Sequence, residues 1–255
     1  MDYARWLVFL LVFTRITAFI AAAPLFSNRS IPPLAKIGTG FGLAVLISPF
    51  VSSPDWLTPE VDIIFFGLML AAETLLGLAL GITANMVFTG IRIAGQLLDL
   101  QIGFGMSGLV DPTSQMHSTL LGNFFNLVGV LLLLTIDGHH SLLLALAQSY
   151  ELVPPGGVRF QGVIVQQIVT VFSGMFLLAL KIVAPVMAVL LISDLSLGLV
   201  ARTVPQLNVF ILGFPLKIGV GLLVLAVIMP IVALAFSNIV SLMERDLHLI
   251  MGSFR

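Results

Sequence analysis

The chain has 255 residues, of which 59% are apolar and only 9% are charged. In a soluble domain about a quarter of the residues are charged. This composition therefore leaves too few polar side chains to cover a surface exposed to water. The net charge of −1 excludes a polybasic nucleic-acid binder, and the absence of cysteine excludes disulfides, thiolate metal sites and cysteine nucleophiles. The composition predicts an integral membrane protein.

Six long apolar segments follow one another along the chain, and most of them contain a charge, a glycine set or a proline. They are Trp6–Leu25, Ile37–Val51, Val61–Ile91, Thr119–Ile136, Val163–Ser193 and Val209–Val240. We predict that they are helices, because hydrocarbon admits only helices or closed barrels and the period-2 alternation of a barrel strand is missing. The run Ser141–Tyr150 is too short to span and predicts a re-entrant or interfacial helix. The expected fold class is therefore all-α: a polytopic membrane protein with about six long, kinked helices plus short re-entrant helices.

Four charged side chains lie inside the apolar segments: Arg15, Glu73, Lys181 and Lys217. Each costs about 2.5–3.5 kcal/mol at the centre of a membrane helix, so each must pair, reach the interface or face water. Three cations outnumber one carboxylate, and Asp99, Asp194 or another chain must supply further partners. These charges predict either a polar conduit or inter-subunit ion pairs, or else internal bridges that only fix helix packing. We expect Lys181 and Lys217 to pair with acidic groups of neighbouring subunits.

The most unusual stretch of the sequence combines three glycines with strongly apolar side chains. It reads Gly103, Phe104, Gly105, Met106, Ser107, Gly108, Leu109, Val110, Asp111 and Pro112. The glycines disfavour a stable helix, and an irregular backbone is too costly in lipid, so the loop needs a cavity lined by protein. Flexible apolar side chains such as methionine seal an opening and repack around varied chains. The loop predicts a movable plug, with a permanently packed re-entrant loop as the alternative.

Two short patterns suggest chemistry but lack the partners it needs. Gly105-Met106-Ser107-Gly108 matches the G-x-S-G of rhomboid-type proteases, yet the last two spanning segments contain no histidine to act as base. His139 and His140 are adjacent, so on a helix they point about 100° apart, and no further ligand cluster accompanies them. No phosphate-binding P-loop exists either. We expect no enzyme activity, no metal and no cofactor.

Several specific blocks carry a resemblance to a known family. They are Ala23 to Pro32 (APLFSNRSIP), Gly95-Gln96 through Gln101-Ile102-Gly103, Val110-Asp111-Pro112, Gly138-His139, Ala201 to Asn208 (ARTVPQLN) and Val209 to Leu216 (VFILGFPL). Nearly end to end, the sequence resembles the FliR/SctT family of type III secretion export-gate subunits. The turn with Arg202, Pro205, Gln206 and Asn208 is the most specific part of this resemblance.

The resemblance implies a helical hetero-oligomeric assembly in the bacterial inner membrane, displaced toward the periplasm within the flagellar basal body. One such subunit joins several copies of FliP and FliQ, works with FlhB and FlhA, and passes unfolded flagellar proteins. It implies a FliP-like part over residues 1–162 and a FliQ-like two-helix hairpin over 163–255, with the plug at Gly103–Ser118. Arg202 and Asn208 are then expected to organise the hairpin turn.

Apart from its protein partners, we expect the chain to contact membrane lipid or detergent and no nucleic acid. A secondary transporter of a small solute is the alternative, because proline-interrupted helices and buried charges are also typical of that class.

Overall fold

A computed structural model of the chain describes residues 3–27, 31–52, 54, 62–104, 119–160, 162–204, 206 and 209–255, with the backbone alone for 209–211. These residues form eight α-helices and a short 3₁₀-helix. The α-helices are α1 (Tyr3–Ala22), α2 (Pro33–Ile47), α3 (Ile63–Ile102), α4 (Leu120–Thr135), α5 (Gly138–Leu152), α6 (Ile164–Thr203), α7 (Val209–Leu234) and α8 (Phe236–Gly252). The 3₁₀-helix, Ser48–Phe50, continues α2.

Five stretches of helix within the described residues are long and apolar enough to cross a membrane: α1, α2 with its 3₁₀ extension, α3, α6 and most of α7. The pair α4 and α5 makes a sixth if it is counted as one broken span, bent by 75°. Asp137 lies at this bend with a φ of 56°, a left-handed conformation that aspartate tolerates better than most residues. The predicted all-α, polytopic membrane fold is confirmed.

The chain divides into two compact units, and each unit is built from stretches that are separated in the sequence. The first unit contains Met1–Val87, Leu133–Ser173 and Ile239–Arg255, and the second contains Phe88–Leu132 and Gly174–Asn238. In the first unit, α1 buries Leu11, Val12, Ile16 and Phe19. In the second, the end of α3 buries Ala94, Leu98 and Ile102. Each unit therefore has an apolar core of its own.

Close packing of α1 against α3 depends on two glycines of α3. A Cβ added to Gly77 would collide with the carbonyl oxygen of Arg15, and one added to Gly81 would lie 2.6 Å from the carbonyl oxygen of Phe19. Side chains at these positions would force the two backbones apart. The pair therefore sets the distance between α1 and α3, which is the usual role of small residues between membrane helices.

Several helix boundaries differ from the sequence-based expectation, among them the end of α6 at Thr203, ten residues beyond the predicted Ser193. Helix α3 continues eleven residues beyond the predicted Ile91, because Ala94, Leu98 and Ile102 recur at helical spacing on the buried face while Arg92 is exposed. The last predicted segment is divided between α7 and α8. Helix α8 is strongly amphipathic and buries Ile239, Met243, Leu247 and Ile250 on one face. The residues after 163 thus form three helices where a two-helix hairpin is expected.

Candidate functional site: the base of the predicted plug and a buried ion pair

The two ends of the predicted plug are tied together by one carboxylate. Asp99, in the last turns of α3, is 2% exposed. Both of its carboxylate oxygens accept the backbone N–H of Leu121, at 3.0 Å each, and one also accepts the N–H of Gly122, at 3.3 Å. These amides belong to the first turn of α4, where unpaired N–H groups and the helix dipole favour a negative charge. Asp99 therefore clamps the start of α4 to the end of α3.

The same end of α3 also contacts the two long helices that follow. Lys217 of α7 lies 2.8 Å from one carboxylate oxygen of Asp194 of α6, and the second oxygen accepts from Lys217 at 2.9 Å and from Gln101 at 3.4 Å. Gly103 has a φ of 105°, and a Cβ added there would lie 3.1 Å from the ring of Phe214. The segment that leaves α3 thus begins on a surface shared by α3, α6 and α7.

Most of the predicted plug lies outside the described residues. Gly103 and Phe104 are described and are half-buried. Gly105, Met106, Ser107, Gly108, Leu109, Val110, Asp111 and Pro112 are among residues 105–118, which the structure does not describe. The described geometry therefore concerns the base of the loop, and the plug itself stays a prediction.

Two of the four predicted intramembrane charges meet in the core of the first unit. Arg15 of α1 and Glu73 of α3 are both fully buried. Arg15 donates from Nε to Glu73 Oε2 at 2.5 Å and from a terminal nitrogen to Oε1 at 3.0 Å, a bidentate pair. The other terminal nitrogen donates to the backbone oxygen of Ser149, at 3.0 Å, and to its hydroxyl, at 3.2 Å.

Three further groups complete this cluster. The ring of Tyr150 lies 4.3 Å from the Arg15 guanidinium carbon, and its hydroxyl donates to the backbone oxygen of Val12 at 3.1 Å. The backbone N–H of Gly156 donates to Glu73 Oε1 at 2.7 Å. The cluster therefore connects α1, α3, α5 and the Pro154–Gly157 turn. Sequence reasoning missed Ser149, Tyr150 and Gly156, although the turn Pro154-Pro155-Gly156-Gly157 after a short helix marks the place.

The remaining predicted charges do not join this cluster. Lys217 pairs within its own chain, with Asp194, where a neighbouring subunit is expected. Lys181 is exposed on α6 and forms no ion pair with any described residue. Its partner in a neighbouring subunit stays a prediction.

The predicted hairpin turn is described at two of its four named residues. Arg202 and Gln206 are exposed, and Arg202 lies in the last turn of α6, where a cation favours the helix dipole. Pro205 and Asn208 lie outside the described residues. Its organisation by Arg202 and Asn208 stays a prediction.

The adjacent histidines lie closer together than their spacing suggests. The rings of His139 and His140 have centroids 4.5 Å apart, and with Asp137 they place three possible ligand atoms within 4.8 Å of one another. Side-chain rotation brings the rings together despite the 100° between their Cα–Cβ directions. Asp137 and His140 are exposed, and His140 Nδ1 lies 3.8 Å from a carboxylate oxygen of Asp137. His139 is half-buried, and the three residues are the candidate metal-binding cluster of the described part of the chain.

Comparison with known proteins identifies the family. Residues 6–243 match the family described as bacterial export proteins, family 1. The chain is 38% identical over 241 residues to the flagellar biosynthetic protein FliR of Bacillus subtilis, covering 92% of this chain and 90% of the relative. It is 34% identical to the FliR protein of Escherichia coli, over 86% of this chain and 83% of the relative. The FliR protein of Aquifex aeolicus is 29% identical over 90% and 88%.

These matches cover nearly all of the helices described above. With its long apolar helices, the chain is a multi-pass membrane component of the flagellar export apparatus. The chain belongs to family 1 of the bacterial export proteins, the family of the flagellar biosynthetic protein FliR.

Proposed function

We propose that the chain is a structural and gating subunit of the flagellar type III export gate. It forms with several copies of FliP and FliQ the channel for unfolded flagellar proteins, next to FlhB and FlhA. The assembly lies in the bacterial inner membrane, displaced toward the periplasm. In this proposal, residues 1–162 are the FliP-like part and residues 163–255 the FliQ-like part, and no catalysis is involved.

The observation that carries this proposal is the exposed apolar face of α6. Large apolar side chains are exposed both before and after Pro185 of this helix: Val165, Ile168, Val169, Leu177, Leu180, Leu191, Ile192, Leu195 and Leu199. At 1.5 Å per residue this face is about 50 Å long, whereas the hydrocarbon core of a bilayer is about 30 Å thick. Lipid tails cannot cover all of it where the helix stands close to the membrane normal. Neighbouring protein subunits are the cover that fits such a surface.

The base of the loop supports a gating role for Gly103–Pro112. Asp99 brings the first residues of α4 to the end of α3, so the segment between them starts and ends at one place. Gln101, Asp194 and Lys217 fix the same end of α3 to α6 and α7. A loop held at both ends stays beside the opening when a passing chain displaces it. This is the property required of a plug that opens for a chain and closes behind it.

Isolation of the tagged full-length chain from its own membranes tests the assembly. We expect two other small hydrophobic proteins, FliP and FliQ, to co-purify in several copies each, and the mass of the complex to give one copy of this chain. A stable monomer or homo-oligomer that binds a small solute would contradict the proposal and favour a transporter.

A further inference from the structure

Helices α1 and α2 of the first unit run antiparallel and separate toward one end. They approach closely at Gly40, where an added Cβ would lie 2.6 Å from the methyl carbon of Thr17. Toward the start of α1, three phenylalanine rings lie between the helices: Phe41 packs edge-on against Phe9 and Phe13, with centroids 5.6 and 6.2 Å away. Rings need more room than a glycine contact, so the helices diverge. A pocket of about 550 Å³ opens beyond the rings.

The pocket has an apolar wall and a polar rim. Trp6, Phe9, Phe41 and Val45 supply the wall, and the lining also contains the Arg5 guanidinium and the hydroxyls of Ser48 and Ser52. Its volume lies in the range of about 300–1,000 Å³ that is typical of sites for small organic ligands. The lining therefore suits an amphiphile that has a long apolar part and an anionic head.

The position of the pocket places its polar rim at the membrane surface. Helix α1 has 20 residues, about 30 Å, which equals the thickness of the hydrocarbon core. Tyr3 and Trp6, 56% and 55% exposed, lie at its first turn beside Arg5. Exposed tyrosine, tryptophan and arginine at the end of a spanning helix mark the level of the lipid headgroups.

We propose that this pocket binds one anionic phospholipid. The phosphate lies against the Arg5 guanidinium, which donates two parallel hydrogen bonds to phosphate oxygens. The serine hydroxyls donate to the headgroup. One acyl chain lies along Trp6, Phe9 and Phe41. Arg5 lines the pocket, is exposed and forms no ion pair with any described residue. A zwitterionic lipid carries an ammonium group that Arg5 repels, so its headgroup binds Arg5 more weakly than an anionic headgroup does.

Photocrosslinking in the assembled, full-length protein tests the proposal. A benzophenone amino acid replaces Val45, which lines the pocket, or the matched control Leu46, which is 66% exposed on the same helix and is not part of the lining. After irradiation in the native membrane, mass spectrometry of the labelled peptides measures the ratio of phosphatidylglycerol to phosphatidylethanolamine adducts. We expect this ratio to be about fivefold higher at Val45, the preference that one basic side chain gives.

Two substitutions then test the role of Arg5. Arg5→Gln should lower the ratio at Val45 to that at Leu46, whereas Arg159→Gln, which changes another exposed arginine of the first unit, should leave it unchanged. Equal ratios at Val45 and Leu46 in the unsubstituted chain would overturn the proposal without any change at Arg5. An adduct of Val45 with a protein would do the same, because it would place a partner helix in the pocket.

Discussion

The buried pair Arg15–Glu73 gives the sharpest prediction of stability. Arg15→Met removes the guanidinium and leaves the fully buried Glu73 carboxylate with the Gly156 N–H as its remaining described donor. Breaking a buried ion pair at one partner costs about 3–5 kcal/mol, because the other charge stays desolvated. Glu73→Gln should cost a similar amount, since it leaves the guanidinium without its counter-charge.

The double variant separates the net contribution of the ion pair to stability from the destabilisation caused by leaving one buried charge without its partner. Replacing both partners with apolar residues of similar size is often neutral or stabilising, because no unpaired charge remains. Arg15→Met with Glu73→Met loses the contacts to Ser149 and the Tyr150 ring, each worth about 1 kcal/mol. It should therefore recover about 1–3 kcal/mol of the 3–5 kcal/mol lost in Arg15→Met.

The midpoint of thermal unfolding of the purified complex measures these effects. For a chain of this size, 3–5 kcal/mol corresponds to a fall of about 6–20 °C. Arg159→Met is the matched control, because Arg159 is exposed and its backbone N–H, not its side chain, bonds to Phe254. An Arg15→Met variant as stable as this control would refute the reasoning. So would a double variant no more stable than the single one.

Three further substitutions test separate parts of the account. Asp99→Ala should speed amide hydrogen exchange at Leu121 and Gly122, with Asp99→Asn intermediate, and unchanged protection would contradict the clamp. Gly81→Ala should lower the thermal midpoint because its Cβ meets the Phe19 carbonyl oxygen. Gly67→Ala, in open space on α3, should be neutral or stabilising by up to about 1 kcal/mol. Equal midpoints of the two variants would remove the close-packing argument. Burial raises the pKa of Asp246 from 3.8, with the Arg245 guanidinium opposing it, so its contribution to stability is full below the unfolded pKa and is lost as pH rises through the raised value. Asp246→Asn should therefore flatten the loss of thermal stability as pH rises above 3.8, and an unchanged slope would contradict this.

Hydropathy and charge were enough to predict the long apolar helices, because a membrane helix must satisfy its backbone internally and be apolar over its length. The error at Ile91 shows the limit. Arg92 interrupts hydropathy, but it is exposed while the buried face continues through Leu98 and Ile102. A single charge ends an apolar run in the sequence without ending the helix.

The partners of the buried charges could not be predicted from the sequence. Arg15 and Glu73 are 58 positions apart, and Ser149 is 134 positions from Arg15. Only tertiary packing brings them together. The count of three cations against one carboxylate did not show which of these charges pair. Likewise, the sequence shows Asp99 as a further charge in an apolar region, and only the structure shows that it accepts hydrogen bonds from the start of α4. Sequence patterns locate costly groups, whereas the fold decides which of them meet.

Ion conductance of the assembled, closed gate tests the central claim most directly. The account predicts that deleting Gly103–Pro112 makes the closed assembly leaky to ions and small solutes in reconstituted membranes. Serine at Phe104, Met106, Leu109 and Val110, in a loop of unchanged length, should also raise the conductance, because polar side chains no longer seal an apolar opening. Conductance equal to that of the unchanged assembly in both variants would show that this loop does not close the pore.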